Sequence, residues 1–309
     1  MGMLGRTVRV RVPASSANLG PGFDAFGLAL AVYDEIVVTA VDGPTHVDVE
    51  GIGAGEVAQD ESNLVVRAAA RAFEAAGVLM PGLRIRARNV IPHGGGLGSS
   101  AAAIVSGLVA AKGLLEPEVV LTSGQLLAIA TEMEGHPDNV ASALLGGLTI
   151  AWTVDGAPRA KQLIVHRGVY PLVCVPDFSV STEHARSLQP DSVPYEDAVF
   201  NLSRSALLVA ALVQSPELLF EATEDRLHQD YRAEAMPQTH ELVQRLRAAG
   251  HAAVVSGAGP SILVLASDPA ERAAAAALVA GARGSRWESL LLAVDVRGAT
   301  VNALPMGAD

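Results

Sequence analysis

Pro92-His93-Gly94-Gly95-Gly96-Leu97-Gly98-Ser99-Ser100 lies between two segments of opposite periodicity. Before it, Leu83 to Arg88 alternates apolar with basic residues, which predicts a strand. After it, Ala101 to Ala111 is a run of small and apolar residues that predicts a helix. The glycines therefore occupy a strand-to-helix turn. Such a turn suits a polyphosphate: glycine lets the backbone approach anionic oxygens at positive φ, and the free N–H groups and dipole of the helix start favour negative charge. A serine hydroxyl at the helix start can hold a phosphate or a hard cation. No lysine follows the glycines, so this is not a Walker A loop, and the spacing of a dinucleotide fingerprint is missing. A tight turn in which glycine only relieves crowding would have the same pattern.

Three other stretches carry chemistry-bearing residues. Glu132-Met133-Glu134-Gly135-His136-Pro137-Asp138-Asn139 gathers carboxylates, an imidazole and an amide at one helix end. That set can hold Mg²⁺, orient a hydroxyl or move a proton; it can equally be a helix stop at Gly135 followed by a new cap at Asp138. Pro13 to Asp24 leaves a strand and is rich in small and polar residues, as a surface or a binding loop would be. Ser256-Gly257-Ala258-Gly259-Pro260-Ser261 reads as a hairpin turn or a second backbone clamp. Arg204 falls on the apolar face of an expected helix and needs an anion if buried, whereas Arg232 is free to be solvated.

Around these stretches the chain reads as mixed α and β. Val8, Val10 and Val12 alternate in a strand, and 35–41 and 46–50 read as further strands. A helix is expected from about Asn63 to Ala76, and another from the capping box at Thr122 and Gln125 to Glu134. Leu148 to Val154 reads as a strand, and the polar stretch 155–168 as the domain boundary. Beyond it, Tyr170 to Val175, 252–255, 261–266 and 290–295 are expected strands, with helices over 197–213, 216–228, 237–249 and 269–280. Strands and helices mix without a βαβ beat, which argues for an α+β fold in two layers rather than a doubly wound sheet.

The 309 residues are half hydrophobic and carry a net charge of −11, enough apolar mass for a large core and the wrong sign for a polyanionic partner. Nucleic acid and anionic membrane are therefore not expected partners. Cys174 is the only cysteine, which excludes an internal disulfide and favours a reducing compartment. Residues 1–20 lack the apolar block of a signal peptide and no apolar run reaches the roughly 20 residues of a membrane span, so a cytoplasmic location is expected. Lys112 and Lys161 are the only lysines. Anion binding must then rely on arginine, backbone N–H groups or a metal.

Taken in order, the four stretches resemble the GHMP kinase superfamily. Pro92 to Ala101 is similar to its Pro-x-x-x-Gly-Leu-Gly-Ser-Ser-Ala loop, and Ser256 to Ser261 to its Ser-Gly-x-Gly-Pro-Ser motif. Pro13–Asp24 and Gly135–Val140 resemble the members that act on L-homoserine. The resemblance implies a domain like ribosomal protein S5 domain 2 over 1–160 and a ferredoxin-like domain over 161–309, with the site between them. It implies ATP as donor with Mg²⁺, L-homoserine as acceptor and O-phospho-L-homoserine as product, in threonine biosynthesis; a homodimer is left open.

The residue roles below are implied by the same resemblance. Pro92, His93, Gly94, Gly95, Gly96, Leu97, Gly98, Ser99, Ser100, Ala101 and Ala102 would hold the triphosphate, and Asn63 the nucleoside. Ser100 and Glu132 would hold the metal. Asn18, Asp24, His136, Asp138, Asn139, Arg204 and Arg232 would form the acceptor pocket, with Asn18, Asn139 and Arg204 as the catalytic residues. Two arginines suit a carboxylate and Asp24 suits an ammonium. Asn139 stands where several relatives place an aspartate base, and an amide cannot take the proton. Two departures are a third consecutive glycine at Gly96 and Asp230 in place of a proline. A mevalonate-type kinase of the superfamily is the rival reading, but its lysine–aspartate pair has no counterpart among two lysines. A non-catalytic nucleotide-binding regulator would be expected to have lost the loop or the metal glutamate.

Overall fold

The computed structural model describes residues 2–282 and 284–305. Val8, Val10 and Val12 bury one face of β1 (Thr7–Ala17) while Arg9 and Arg11 face water. The strand continues past Pro13, where its register against β2 (Phe26–Val41) shifts because proline has no N–H for the ladder. The segment Pro13–Asp24 is thus half strand and half loop. With β3 (His46–Gly51), β4 (Gly82–Asn89), β5 (Leu148–Val154) and β6 (Ala157–Leu163), these strands form most of a seven-stranded sheet. Its order is β11-β1-β2-β4-β3, with β5 pairing β2 and β6, where β11 is Thr300–Leu304.

Helices α1 (Leu64–Ala75), α2 (Ser99–Leu115), α3 (Ser123–Glu134) and α4 (Asp138–Leu145) complete this layer. The first is capped by the Asn63 side chain, and the third by the Thr122–Gln125 box that the spacing predicts. Apolar around most of its circumference, α2 is the central buried helix, packed on β1 and on the other three helices.

The second layer is a four-stranded antiparallel sheet of β7 (Tyr170–Pro176), β8 (Ala253–Val255), β9 (Ile262–Ala266) and β10 (Trp287–Leu291), in the order β10-β7-β9-β8. Between β7 and β8 lie α5 (Thr182–Ser187), α6 (Tyr195–Val213), α7 (Leu219–Ala222) and α8 (Pro237–Ala248); α9 (Pro269–Ala280) joins β9 to β10. That is the split βαββαβ order of a ferredoxin-like domain. Val173, Leu208 and Leu263 share one core cluster with Leu28 and Leu108, so the two layers are packed together.

Two expectations are corrected. The stretch 155–168 is not a linker throughout: Asp155 and Gly156, both at positive φ, turn β5 into β6, and the two strands pair along their whole length. A division at 160/161 cuts β6, and β11 returns to pair with β1, so the first layer takes its strands from both ends of the chain. The helix expected over 216–228 stops at Ala222. The Asp225 carboxylate there accepts from the N–H groups of Leu227, His228 and Gln229 and competes with the helical ladder.

Candidate active site

Gly98 begins α2 in the left-handed conformation, at φ 68°. A Cβ at this position would collide with the Ser15 hydroxyl on β1, so only glycine allows the loop to lie this close to the strand. The loop is tied down on both sides. Leu97 accepts from the Ser15 N–H at 3.0 Å, and the Ser256 hydroxyl donates to Gly96 at 2.7 Å. Gly257 in turn donates to Ala17 at 3.1 Å and accepts from the Asn18 amide at 2.8 Å. Three stretches far apart in sequence are joined by these bonds.

The fourth joins through Asn139, whose amide oxygen accepts from the Ser15 hydroxyl at 2.9 Å. Its NH₂ group is thereby the end left for a ligand. Beside it, Asp138 is almost wholly buried and accepts from the Asn139 N–H at 2.8 Å, while its Oδ1 lies 3.1 Å from the His136 Nδ1. This hydrogen bond, against the opposing pull of burial, raises the His136 pKa above its ordinary value.

Asn18 and Asp24 both sit at positive φ, 71° and 53°, which is uncommon for residues with a Cβ. The Asn18 side-chain oxygen accepts from the Asp24 N–H at 2.9 Å and helps hold this turn. Asp24 is then gripped by both terminal nitrogens of Arg186, at 2.7 and 3.2 Å. Arg232 is buried, reaches the Gly257 carbonyl at 3.4 Å and lies over the Phe23 ring. Burial, and then the Arg186 guanidinium, hold its pKa below the usual arginine value.

These groups line one cavity of about 110 Å³, with Gly94, Gly95, Gly96, Gly98, Ser99 and Ser100 on one wall and His136, Asp138, Asn139, Arg186 and Arg232 on the others. Gly94, Ser99 and Ser100 also border a groove of about 410 Å³. Asn63 lines that groove beside His93, among apolar side chains such as Ile36, Val47 and Leu64. A small polar chamber and a larger apolar groove thus meet at the start of α2.

Two expected residues stand elsewhere. Arg204 points away from the cavity: its Nε donates to Glu224 at 2.8 Å and its guanidinium covers the Phe200 ring. Arg186, on α5, lines the cavity instead. Glu132 is exposed and pairs with Arg71 at 3.0 Å, on the far side of α3. Glu134, two residues on and so about 200° round the helix, accepts from the Ser100 hydroxyl at 2.7 Å. Burial pushes the Glu134 pKa above the ordinary carboxylate range, with the Ser100 bond opposing it. One carboxylate and one hydroxyl fit Mg²⁺, which completes its shell with water and substrate phosphates. Among the described residues no group of three or more His, Cys, Asp or Glu could hold a metal by protein ligands alone.

The sequence carries two matching family models. The GHMP kinases N terminal domain covers residues 63–147 and the GHMP kinases C terminal domain covers 206–282. A homoserine kinase of Clavibacter michiganensis is 64% identical over 305 residues, spanning 98% of this chain and 96% of the relative. A homoserine kinase of Leifsonia xyli is 65% identical, spanning 96% and 92%. The crystal structure of homoserine kinase from Cytophaga hutchinsonii superposes with a TM-score of 0.85 at 27% identity, covering 96% of this chain and 97% of that one.

Proposed function

The chain belongs to the GHMP kinase family, and from that premise we propose that it transfers the γ-phosphoryl group of ATP to the side-chain hydroxyl of L-homoserine. Full-length relatives that are homoserine kinases support the reading. The observation that carries it is the pairing of chambers: a 110 Å³ polar cavity lined by two arginines, an aspartate and a glutamate opens at the α2 N-terminus onto a groove large enough for a nucleoside.

The geometry suits a zwitterion of this size. Arg186 lines the cavity and is neutralised by Asp24 beside it. An amino acid carries the same two charges, so its carboxylate can take the Arg186 side of that pair and its ammonium the Asp24 side. Arg232, poised over Gly257, adds a second guanidinium for the carboxylate. The acceptor hydroxyl then lies toward Asn139, whose NH₂ donates to oxygen.

Every carboxylate around the cavity is already engaged: Asp24 by Arg186, Asp138 by His136 and a backbone N–H, Glu134 by Ser100. None stands free as a general base for the hydroxyl. Catalysis therefore rests on alignment and on charge stabilisation at the transferring group, which phosphoryl transfer permits. The glycine loop and the first turn of α2 supply N–H groups and a positive dipole end for the phosphates. Ser100 and Glu134 would hold Mg²⁺, which when bound supplies positive charge against the phosphate oxygens. The hydroxyl proton passes to the transferred phosphate, and the products are O-phospho-L-homoserine and ADP.

The product is an activated alcohol whose phosphate is a leaving group, which places the reaction before threonine formation; a cytoplasmic location accords with ATP as the donor. The test is ³¹P NMR of the purified chain with ATP, Mg²⁺ and L-homoserine. A new phosphomonoester resonance matching synthetic O-phospho-L-homoserine is expected. Its absence, with turnover of mevalonate or another alcohol instead, overturns the assignment.

A further inference from the structure

Arg232 is almost wholly buried, yet among the described residues no carboxylate stands within ion-pair distance of it. Its bond to the Gly257 carbonyl is long, at 3.4 Å. Gln189, with its amide nitrogen turned to the Leu227 carbonyl, accepts from the Nε at 2.8 Å. A buried charge with neutral acceptors alone needs further compensation. The Phe23 ring provides it. The ring centroid lies 5.0 Å from the Arg232 guanidinium carbon and 6.0 Å from that of Arg186. Phe23 itself does not line the cavity.

We propose that Phe23 is a positioning residue: its ring steadies both guanidiniums where the acceptor's carboxylate binds, and His228, stacked on it, holds the ring in place. The proposal rests on the reading of this cavity as the L-homoserine site. A cation within about 6 Å of an aromatic face is drawn to it by the ring quadrupole, more strongly where water is excluded. That attraction uses none of the N–H donors of the guanidinium, so they remain for a ligand. A carboxylate in the place of the ring would occupy those donors and would have to be displaced by the substrate.

The ring is fixed from behind. The His228 imidazole stacks on Phe23 with centroids 4.9 Å apart and planes 20° from parallel. His228 is fully buried, and its Nε2 lies 2.7 Å from the Gly20 carbonyl. A carbonyl only accepts, so Nε2 carries the proton and ties the helical segment to the loop that bears Phe23. Asp225 holds the imidazole from the other side of the chain: it accepts from the His228 N–H at 3.1 Å and from the Asn201 amide at 2.8 Å, and lies 3.6 Å from Nε2. Burial keeps the His228 pKa below its ordinary value, against the pull of Asp225. The stacked imidazole is therefore neutral and does not compete with the arginines for the ring.

Steady-state kinetics of the full chain tests the assignment. Phe23→Leu is expected to raise KM for L-homoserine about tenfold and to leave kcat and the KM for ATP within about twofold. Phe23→Tyr keeps an aromatic face and is expected to match the parent. Trifluorophenylalanine at position 23 keeps the size and apolar character of the ring but drains charge from its face, so it is expected to raise the same KM about threefold. His228→Gln can keep the bond to Gly20 but not the stack, and is expected to raise it about threefold as well. Several results would overturn the proposal: a parent KM in the fluorinated or His228→Gln chain, a loss in Phe23→Tyr equal to that in Phe23→Leu, or equal rises in the KM for ATP. A parent chain that leaves L-homoserine unphosphorylated removes the acceptor reading and this proposal together, whereas an active parent with unmoved KM in the variants removes this proposal alone.

Discussion

Arg186 and Arg204 are both part-buried arginines with one carboxylate partner each, yet only Arg186 faces the cavity. Arg186→Ala is therefore expected to lower kcat/KM for L-homoserine by roughly 100-fold, chiefly through KM, since it leaves Asp24 uncompensated and removes a carboxylate partner. Arg204→Ala should leave kcat/KM within about threefold and cost ~1 kcal/mol of stability, the upper end for an ion pair still reached by solvent. Steady-state kinetics with a denaturant titration of each variant separates the two. The glutamates of α3 invite the same comparison. Glu134→Gln is expected to weaken the apparent Mg²⁺ affinity at least about tenfold, and Glu132→Gln to leave it unchanged. The pH dependence follows from burial. In the proposed site the cation is held by the ionised form of Glu134, whose pKa lies above the ordinary value. Lowering the pH therefore protonates it earlier than an exposed glutamate, whose pKa is about 4.3. Mg²⁺ affinity should fall on that acid limb in the parent and in Glu132→Gln, and be low and flat in Glu134→Gln. Both residue pairs mark the limit of the sequence. Two carboxylates were visible near one helix end, but which of them meets Ser100 depends on the rotation of α3 against α2. Arg186 lies in a short polar helix that no periodicity distinguishes, whereas Arg204, on an apolar helix, drew attention for a partner that proved to be Glu224.

The element whose ends carry their own chemistry was the most legible: α3, from its Thr122–Gln125 box and its stop at Gly135. The helix expected over 216–228 failed because a single side chain, Asp225, offers the backbone a rival set of bonds, and its reach into three N–H groups leaves no pattern in the sequence. The strand-to-helix turn at 92–100 was legible for the opposite reason, since its geometry demands glycine. At Gly98 that demand is double, from positive φ and from contact with Ser15. Gly98→Ala is expected to cost about 1–3 kcal/mol from backbone strain and, by moving the loop off β1, to reduce kcat/KM for ATP by ~100-fold. Gly77 is the control: its φ is 67° but no atom lies where a Cβ would go. Gly77→Ala should show a strain cost of about 1 kcal/mol and unchanged kinetics. Thermal melts and ATP saturation curves of the two variants would distinguish strain alone from loss of the phosphate cradle; equal kinetic losses would refute the role given to the loop.

At the scale of the molecule, the return of the chain to its first sheet is what the sequence did not announce, because β11 is five residues long and its partner strand begins at residue 7. The closure is fastened by more than the ladder. The Tyr33 hydroxyl donates to Asp295 at 2.9 Å, and Asp295 also accepts from the N–H groups of Arg297 and Gly298 just before β11. Burial and that carboxylate raise the Tyr33 pKa to about 12, so the phenol remains a donor at any working pH. Without β11, one edge of β1 loses its pairing beside the catalytic strand-loop. A chain shortened to end at residue 296 is expected to lose on the order of 4 kcal/mol and ~10 °C in Tm, from a severed ladder and an uncovered apolar edge. The fragment 1–160 fares worse, because it also cuts β6 within its pairing with β5. It should bind a hydrophobic dye and melt without a calorimetric peak. A cooperative transition of that fragment at the temperature of the parent chain would mean that the first layer closes without its C-terminal strand. The tie that positions Ser15 against the glycine loop would then owe nothing to the far end of the chain.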